Sequence, residues 1–287
     1  MKSSEQCKEF LGVIVLDKLK SPEEVVMYIK RGFKEERTGQ INYNNYNSKM
    51  TLIDYKGARN ILVRFENGYT TKSEYKEFKN GSISNPYDKS VFEIGYIGEG
   101  KYKVKINGKI SKQYNNWHSM IERCYCIKYQ NKYPAYAGCT VCEEWLNFQN
   151  FGKWHDENYY KLENRRIELD KDILSKGNKI YSPENCIYVP DDINKLFTKR
   201  NLHRGIYPVG VIRNITNKHK NIYTAQCSGG LRETHKWLGN FETVLMAFEA
   251  YKTYKEQSIK NIAEKYKGKI PEILYLAMYQ YQVELTD

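Results

Sequence analysis

Two stretches that carry acidic and amide side chains follow one another between residues 167 and 194. Ile167–Asp172 has the alternating pattern of a strand and contains Asp170, while Tyr181–Pro190 places Asn185 before a second apolar run. Asp191–Asn194 follows directly and predicts the start of a helix. Carboxylate and amide oxygens are ligands of hard divalent cations, which can stabilise charge on a phosphodiester. The order strand, loop, strand and helix therefore predicts a site for a single divalent metal ion.

The charge of the chain indicates the kind of partner. Its 46 Lys and Arg residues against 34 Asp and Glu residues give a formal net charge of +12. A basic surface attracts polyanions through phosphate contacts and the release of counterions. We therefore expect double-stranded DNA as the partner. RNA is an alternative, since single strands also stack on the Tyr and Trp side chains that the chain contains in number.

The sequence also makes several classes of protein improbable. No apolar run approaches the roughly 18 residues of a membrane span, and Met1–Glu5 lacks a signal-peptide core. We expect a soluble cytoplasmic protein acting in a bacterial host cell, with no membrane partner and no small-molecule cofactor. The seven cysteines are odd in number and irregularly spaced, which favours reduced thiols. Cys139 and Cys142 could form half of a zinc site with Cys124 and Cys126, but buried thiols are the simpler prediction because no second Cys-x-x-Cys or His pair occurs.

The N-terminal part predicts a helix and a β-rich module over residues 1–98. Three glycines, Gly95, Gly98 and Gly100, indicate a linker after this module. The predicted elements are a strand at Phe10–Leu16, a helix at about Pro22–Arg31, and a β-meander formed by Met50–Tyr55, Asn60–Glu66 and Tyr69–Thr71.

Two segments further along have aromatic residues at helical spacing. In Asn116–Tyr125 the apolar positions are three, one and three residues apart, and Glu144–Trp154 repeats an aromatic residue every third position. Such stripes are more often core than base-stacking surfaces. We therefore predict two helices that support the strand-loop-strand segment.

The motifs Trp-x-x-Met-x-x-Arg-Cys, Cys-Thr-Val-Cys-x-x-Trp and Phe-x-x-Phe-x-x-Trp, followed by the segment described first, resemble the HNH (His-Me finger) endonucleases of phages and the homing type. The resemblance spans Trp117 to Asn194 and implies a ββα-metal nuclease domain over residues 99–200. It also implies metal-dependent hydrolysis of DNA, as a nick or a double-strand break, with Mg²⁺ or another divalent ion. The protein would act as a monomer or a homodimer.

The same resemblance implies roles for individual residues. Asp170 would be a metal ligand, Asn185 would brace the loop or bind the metal, and Asn194 would be a helix-borne ligand or phosphate contact.

Lys171 occupies the position of the family's general-base histidine, and this departure leaves three alternatives open. Lys171 could clamp a phosphate while His118 or His155 supplies the base, Lys171 could itself be the base, or the finger could bind DNA without cutting it. The pKa of a lysine side chain is ordinarily about 10.4. Because Asp170 and Asp172 flank the ammonium group and stabilise it, we favour the clamp. The third alternative describes a regulator or inhibitor that keeps the finger as a scaffold.

The region Arg204–Glu264 resembles the ethylene-response-factor (Apetala-type) DNA-binding domain through Gly210–Val211, Tyr223–Gln226, Trp237–Thr243 and Ala247–Tyr251. The resemblance implies a three-stranded antiparallel sheet backed by a helix over residues 201–287. Together with the preceding modules, this predicts a mixed α+β chain. A sheet can enter the major groove, where Arg recognises guanine. The predicted DNA-binding residues are Arg200, Arg204, Arg213, Lys218, Lys220, Arg232 and Lys236.

Overall fold

The computed structural model describes residues 37–197, 206–214, 222–228 and 235–285, together with residue 23. The chain divides into two compact units between Glu99 and Gly100. The predicted mixed α+β class is confirmed, with an N-terminal sheet, central helices, and a C-terminal sheet followed by a long helix. The strand predicted at Phe10–Leu16 lies outside the described residues, and so does the helix predicted at Pro22–Arg31 except for Glu23, which is helical.

The first unit contains a four-stranded antiparallel sheet with the strand order β1-β2-β3-β4. Alternate residues of β2 and β3, such as Leu52 and Val63, are buried against Phe78 of the following helix, as the period of two predicts. The predicted meander is confirmed, and β1 adds a strand to it. The elements are β1 (Ile41–Tyr43), β2 (Lys49–Gly57), β3 (Asn60–Phe65), β4 (Thr70–Ser73) and α1 (Tyr75–Asn80).

The second unit contains the central helices, the strand-loop-strand segment and the C-terminal sheet. Its first part comprises β5 (Lys105–Ile106), β6 (Lys109–Ile110), α2 (Lys112–Tyr125), α3 (Ile127–Lys132), a 3₁₀ turn (Pro134–Tyr136), β7 (Thr140–Val141), a second 3₁₀ turn (Glu143–Leu146) and α4 (Phe148–Asn158). Its second part comprises β8 (Ile167–Asp170), β9 (Ile180–Tyr181), β10 (Ile187–Pro190), α5 (Asp191–Phe197), β11 (Val211–Arg213), β12 (Tyr223–Ser228), β13 (His235–Phe241), α6 (Val244–Tyr266) and α7 (Glu272–Tyr279).

Helices α2 and α4 pack against each other through large aromatic side chains. Trp117 of α2 is fully buried against Phe148 of α4, and its indole Nε1 donates a hydrogen bond of 2.7 Å to the carbonyl oxygen of Trp145. Ser111 caps α2 by accepting a hydrogen bond from the Tyr114 backbone N–H. The prediction that these aromatic stripes belong to the core is confirmed.

We call β8, β10 and α5 the finger. Its inner residues share one apolar core with the two C-terminal helices, because Ile187 and Ile193 pack with Ile259 of α6 and Leu274 of α7. The domain boundary predicted at residue 200 falls within this second unit. None of the helices that the structure describes combines the length and the apolar composition required to span a bilayer.

The C-terminal strands form an antiparallel sheet with the order β11-β12-β13, as predicted. Ala225 and Cys227 of β12 are buried against Phe248 of α6. Thr243 caps α6, the helix predicted to back the sheet, by accepting a hydrogen bond from the backbone N–H of Met246. Gly210 has φ +78°, and a Cβ there would lie 2.0 Å from the ring of Tyr251. Glycine is therefore required where the sheet meets the helix.

Candidate functional site on the finger and the C-terminal sheet

The two strands of the finger pair in antiparallel fashion, with Asp170 opposite Ile187 and Leu169 opposite Tyr188. Residues that stand opposite each other project from the same face of a sheet, and successive residues alternate between faces. Asp170 therefore shares a face with Glu168, whereas Leu169 and Tyr188 lie on the other face. Helix α5 begins at Asp191, directly after β10. The ββα order predicted from the sequence is present.

Asp170 ends β8 and caps the turn that follows. Its Oδ1 accepts hydrogen bonds from the backbone N–H groups of Asp172 (2.9 Å) and Ile173 (2.8 Å). Burial raises the pKa of this carboxyl to about 6, the charge of Asp172 adds to the increase, and the two hydrogen bonds and Lys171 oppose it. Its Oδ2 accepts no hydrogen bond from the described residues. An ionised Asp170 thus offers one oxygen to a cation.

This pKa shift predicts a pH-dependent stability. In the unfolded chain the pKa of an aspartate is about 3.9, so protonated Asp170 stabilises the fold below pH 4, and this contribution is lost as pH rises through about 6. We expect Asp170→Asn, which keeps the acceptor oxygen, to raise the free energy of unfolding above pH 6 by at most about 3 kcal/mol. The gain should vanish below pH 4. Urea denaturation at pH 4, 6 and 8 without divalent ions measures it, with Glu163→Gln as the exposed control, and a gain that is equal at all three pH values would contradict the shift.

Lys171 lies in the segment between β8 and β9, which we call the finger loop, and 7% of its surface is exposed. Its Nζ donates hydrogen bonds to Asp172 Oδ2 (3.1 Å) and to the carbonyl oxygen of Asn178 (3.0 Å). Asn178 Nδ2 in turn donates to the carbonyl oxygens of Lys171 and Ile180, each at 2.7 Å. The ammonium group therefore braces the loop between β8 and β9. The predicted roles of phosphate clamp and general base stay predictions.

The two predicted asparagine ligands, Asn185 and Asn194, lie close to β10 in the chain. Asn185 belongs to the turn before β10, two residues ahead of the register partner of Asp170, and its Nδ2 donates to Ser182 Oγ at 3.0 Å. Asn194 Nδ2 donates to Glu168 Oε2 at 2.8 Å. Glu168 therefore joins the face that carries Asp170. Glu168 was not among the site residues predicted from the sequence, although its spacing of two residues from Asp170 is a signal that it shares that face.

The carboxylate and thiol groups nearby do not form a metal cluster by themselves. Within the ranges that the structure describes, no group of three or more His, Cys, Asp or Glu side chains could hold a metal ion. A metal ion at the finger would therefore need amide oxygens or water in addition to Asp170. The six cysteines among the described residues form no disulfide with one another, and burial raises the pKa of Cys124 to about 12.

The two candidate histidines lie on the supporting helices. His155 of α4 is 3% exposed, stacks on Tyr159 at 5.0 Å and meets the ring of Tyr188 at 5.4 Å. Burial lowers the pKa of His155, and Asp156 partly offsets this decrease. Since Tyr188 stands on the face of the hairpin opposite to Asp170, the structure does not bring His155 to the predicted metal site. His118 of α2 is half-buried beside Tyr114.

A second cation lies close to the finger loop and was not selected from the sequence. Arg123 of α2 lies 5.5 Å from the ring of Tyr136, and its charge opposes the burial that raises the pKa of Tyr181. The parallel pairing of β7 with β9 brings these segments together. Lys171 lies 5.9 Å from the ring of the same Tyr181. Arg123 forms no ion pair with a carboxylate of the described residues. The one sequence signal that could have identified Arg123 as a site residue is its place in the motif Trp-x-x-Met-x-x-Arg-Cys.

Two of the predicted DNA-binding residues can be placed in the C-terminal sheet. Arg213 stands opposite Tyr223, and Lys236 stands opposite the buried Cys227 with its Nζ 4.7 Å from the ring of Tyr254 in α6. Both are exposed and, by register, both lie at the margin of the side that faces the helix. The other five, Arg200, Arg204, Lys218, Lys220 and Arg232, lie outside the described residues, so their role in DNA binding stays a prediction.

The side of this sheet that faces away from α6 carries apolar and amide side chains. Ile212 is 45% exposed and Trp237 is 64% exposed. Gln226 stands opposite Trp237, and Asn240 is opposite Thr224. We call Ile212, Gln226, Trp237 and Asn240, together with the buried Thr224 between them, the open face.

The comparisons with known proteins add no further evidence on identity. No family model, no curated protein and no solved structure matches the chain. The ββα finger and the three-stranded sheet with its helix are therefore established by the structure alone. The two family resemblances rest on the motifs quoted above.

Proposed function

We propose that the protein binds double-stranded DNA through the open face of its C-terminal sheet. The observation that carries the proposal is the exposure of Trp237 and Ile212 on a sheet whose other side is closed by α6. A sheet with an uncovered face can enter the major groove. The sequence from residue 199 to residue 239 contains eight basic residues and one acidic residue, which supports binding to a polyanion. The proposal places the protein in the cytoplasm, where DNA is accessible.

The positions of Arg213 and Lys236 suit contacts with the DNA backbone. Side chains at the margin of an inserted sheet meet phosphates, whereas those on the inserted face meet base edges. Phosphate contacts supply most of the affinity that does not depend on sequence. We therefore propose that Arg213 and Lys236, at the margin of the sheet, contribute affinity for DNA through phosphate contacts, and that residues of the open face contact the bases.

Charge reversal of two predicted DNA-binding arginines provides the test. Arg213→Glu combined with Arg232→Glu should weaken binding and reduce the slope of log K against log salt concentration by about two units, at roughly 0.9 per phosphate contact. Lys105→Glu combined with Lys109→Glu is the matched control, because both lysines are exposed on the hairpin formed by β5 and β6. Fluorescence anisotropy at several salt concentrations measures the slope. An unchanged slope in the first variant would mean that DNA binds elsewhere.

Metal-dependent cleavage at the finger is the second candidate function. It is favoured by the position of Asp170, which leaves Oδ2 available on the face shared with Glu168, the residue to which Asn194 donates a hydrogen bond. Asp170 with Asn185 or Asn194 would hold the ion. A bound Mg²⁺ or other divalent ion would stabilise charge on the scissile phosphate and its leaving oxygen.

The contacts of the candidate bases bear on the choice between a protein that cuts DNA and one that only binds it. The ammonium group of Lys171 donates hydrogen bonds to Asp172 and to the carbonyl oxygen of Asn178. His155 is buried against Tyr188, on the face of the paired strands opposite to Asp170. These contacts favour a protein that binds DNA with the finger as a scaffold over one that cuts it. Plasmid relaxation with and without Mg²⁺ tests the two functions directly.

A further inference from the structure

One row of side chains crosses the open face from strand to strand. Ile212, Thr224 and Asn240 are register partners on β11, β12 and β13. Thr224 Oγ1 donates a hydrogen bond of 2.7 Å to Asn240 Oδ1. This bond fixes the exposed carboxamide of Asn240, whose Nδ2 can donate while its Oδ1 keeps a second lone pair. Asn240 is thus preorganised to donate and to accept at the surface.

A β-bulge completes the open face. The register shifts between Ala225 and Gln226, and Gly239 has φ +135° at this point. The bulge turns Trp237 to the same side as its partner Gln226, because an extra residue exchanges the two faces of a strand. The carboxamide of Gln226 forms no hydrogen bond with the residues that the structure describes. It is therefore available to a ligand.

The distance between Gln226 and Asn240 in the sheet corresponds to about two steps between stacked base pairs. Gln226 lies two residues beyond the register partner of Asn240, which makes the two residues diagonal neighbours. Such neighbours are about 7–8 Å apart, and successive base pairs are about 3.4 Å apart along the helix axis. The two side chains can therefore reach base pairs about two steps apart.

We infer that Gln226 and Asn240 recognise adenines in the major groove, so that the protein prefers sites containing A·T pairs. A carboxamide pairs bidentately with adenine N6 and N7, whereas guanine is recognised by Arg or Lys. By register, both described basic residues of the sheet belong to its other side. Ile212 and Trp237 offer apolar surface to the thymine methyl group. The inference rests on the proposed DNA-binding function and replaces the expected contact between Arg and guanine with amide contacts.

Selection of binding sites from a pool of random duplexes tests the inference on the full chain. The wild-type protein should select A·T pairs at two positions, and a change to G·C at either should lower affinity about 5- to 150-fold. Gln226→Ala should remove the preference at one position. Asn240→Asp keeps the acceptor for Thr224 but removes the donor to adenine N7, so it should remove the preference at the other. Asn240→Arg should select guanine there.

The outcomes distinguish failure of the inference from failure of the proposed DNA binding. Selection of G·C pairs, or tight binding without any base preference, would overturn the inference and leave DNA binding intact. Retention of both adenine preferences by Gln226→Ala and Asn240→Asp would also overturn it. Absence of duplex binding even at low salt would overturn the proposed function and the inference together. Thermal midpoints of the variants show whether each one is folded.

Discussion

Replacement of Asp170 with alanine is expected to abolish any Mg²⁺-dependent nicking of plasmid DNA and to leave DNA binding unchanged. Asp170 carries a carboxylate oxygen, Oδ2, that accepts no hydrogen bond from the described residues after Oδ1 has capped the turn. Loss of this ligand should lower the nicking rate by more than about 100-fold, because metal affinity depends on the ionised carboxylate. Agarose gels of supercoiled plasmid measure the rate, and anisotropy measures binding. Glu163→Gln, an exposed change in the same unit, is the control.

The dependence of the rate on pH identifies the base. Nicking should decrease as pH falls through about 6, since the pKa of Asp170 is about 6 and its protonated form cannot bind the ion. If Lys171 is the base, the rate should climb through the alkaline range, because only the neutral amine accepts a proton. If His155 is the base, the rate should level off at a pH below about 6.5, the ordinary His value, because burial lowers the pKa of His155. If either histidine is the base, His118→Ala or His155→Ala should be the damaging change.

Two results would remove the nuclease proposal. Undiminished nicking by Asp170→Ala would show that the activity comes from another site or a contaminant. A wild-type protein that binds DNA but does not cut it with Mg²⁺, Mn²⁺ or Zn²⁺ would establish the non-cutting alternative.

Replacement of Trp117 with alanine is expected to lower the free energy of unfolding by about 3–5 kcal/mol. The side chain is fully buried between α2 and α4, and its indole N–H is bonded to the carbonyl of Trp145. Truncation would leave a large cavity and remove that hydrogen bond. Urea denaturation followed by circular dichroism measures the change.

Trp237→Ala is the matched comparison, because it removes the same side chain from an exposed position on a strand. It should change stability by no more than about 0.5 kcal/mol, while weakening DNA binding. Equal destabilisation by the two changes would contradict the assignment of Trp237 to a surface. Unchanged DNA affinity in Trp237→Ala would argue against the open face as the interface.

The sequence by itself determined the kinds of elements and much of their order. Alternation at Met50, Leu52, Ile61 and Val63 predicted strands that the structure contains, because a strand with one buried face has a period of two. The spacing in Asn116–Tyr125 predicted a helix with a buried stripe for the equivalent reason at a period of 3.6. These are local properties of the backbone, and a single segment is sufficient to display them.

Only the tertiary structure decided which of these residues meet. The pairing of β8 with β10 places Asp170 and Glu168 on one face and Tyr188, which contacts His155, on the other. This register depends on residues about 20 positions apart in the sequence. Lys171 stabilises the loop between β8 and β9 because it exchanges hydrogen bonds with Asn178, seven residues further along the chain. A bulge at Gln226, which no period predicts, turned Trp237 outward. Contact between distant segments is decided by the packing of the whole chain, and a repeating pattern within one segment carries no information about it.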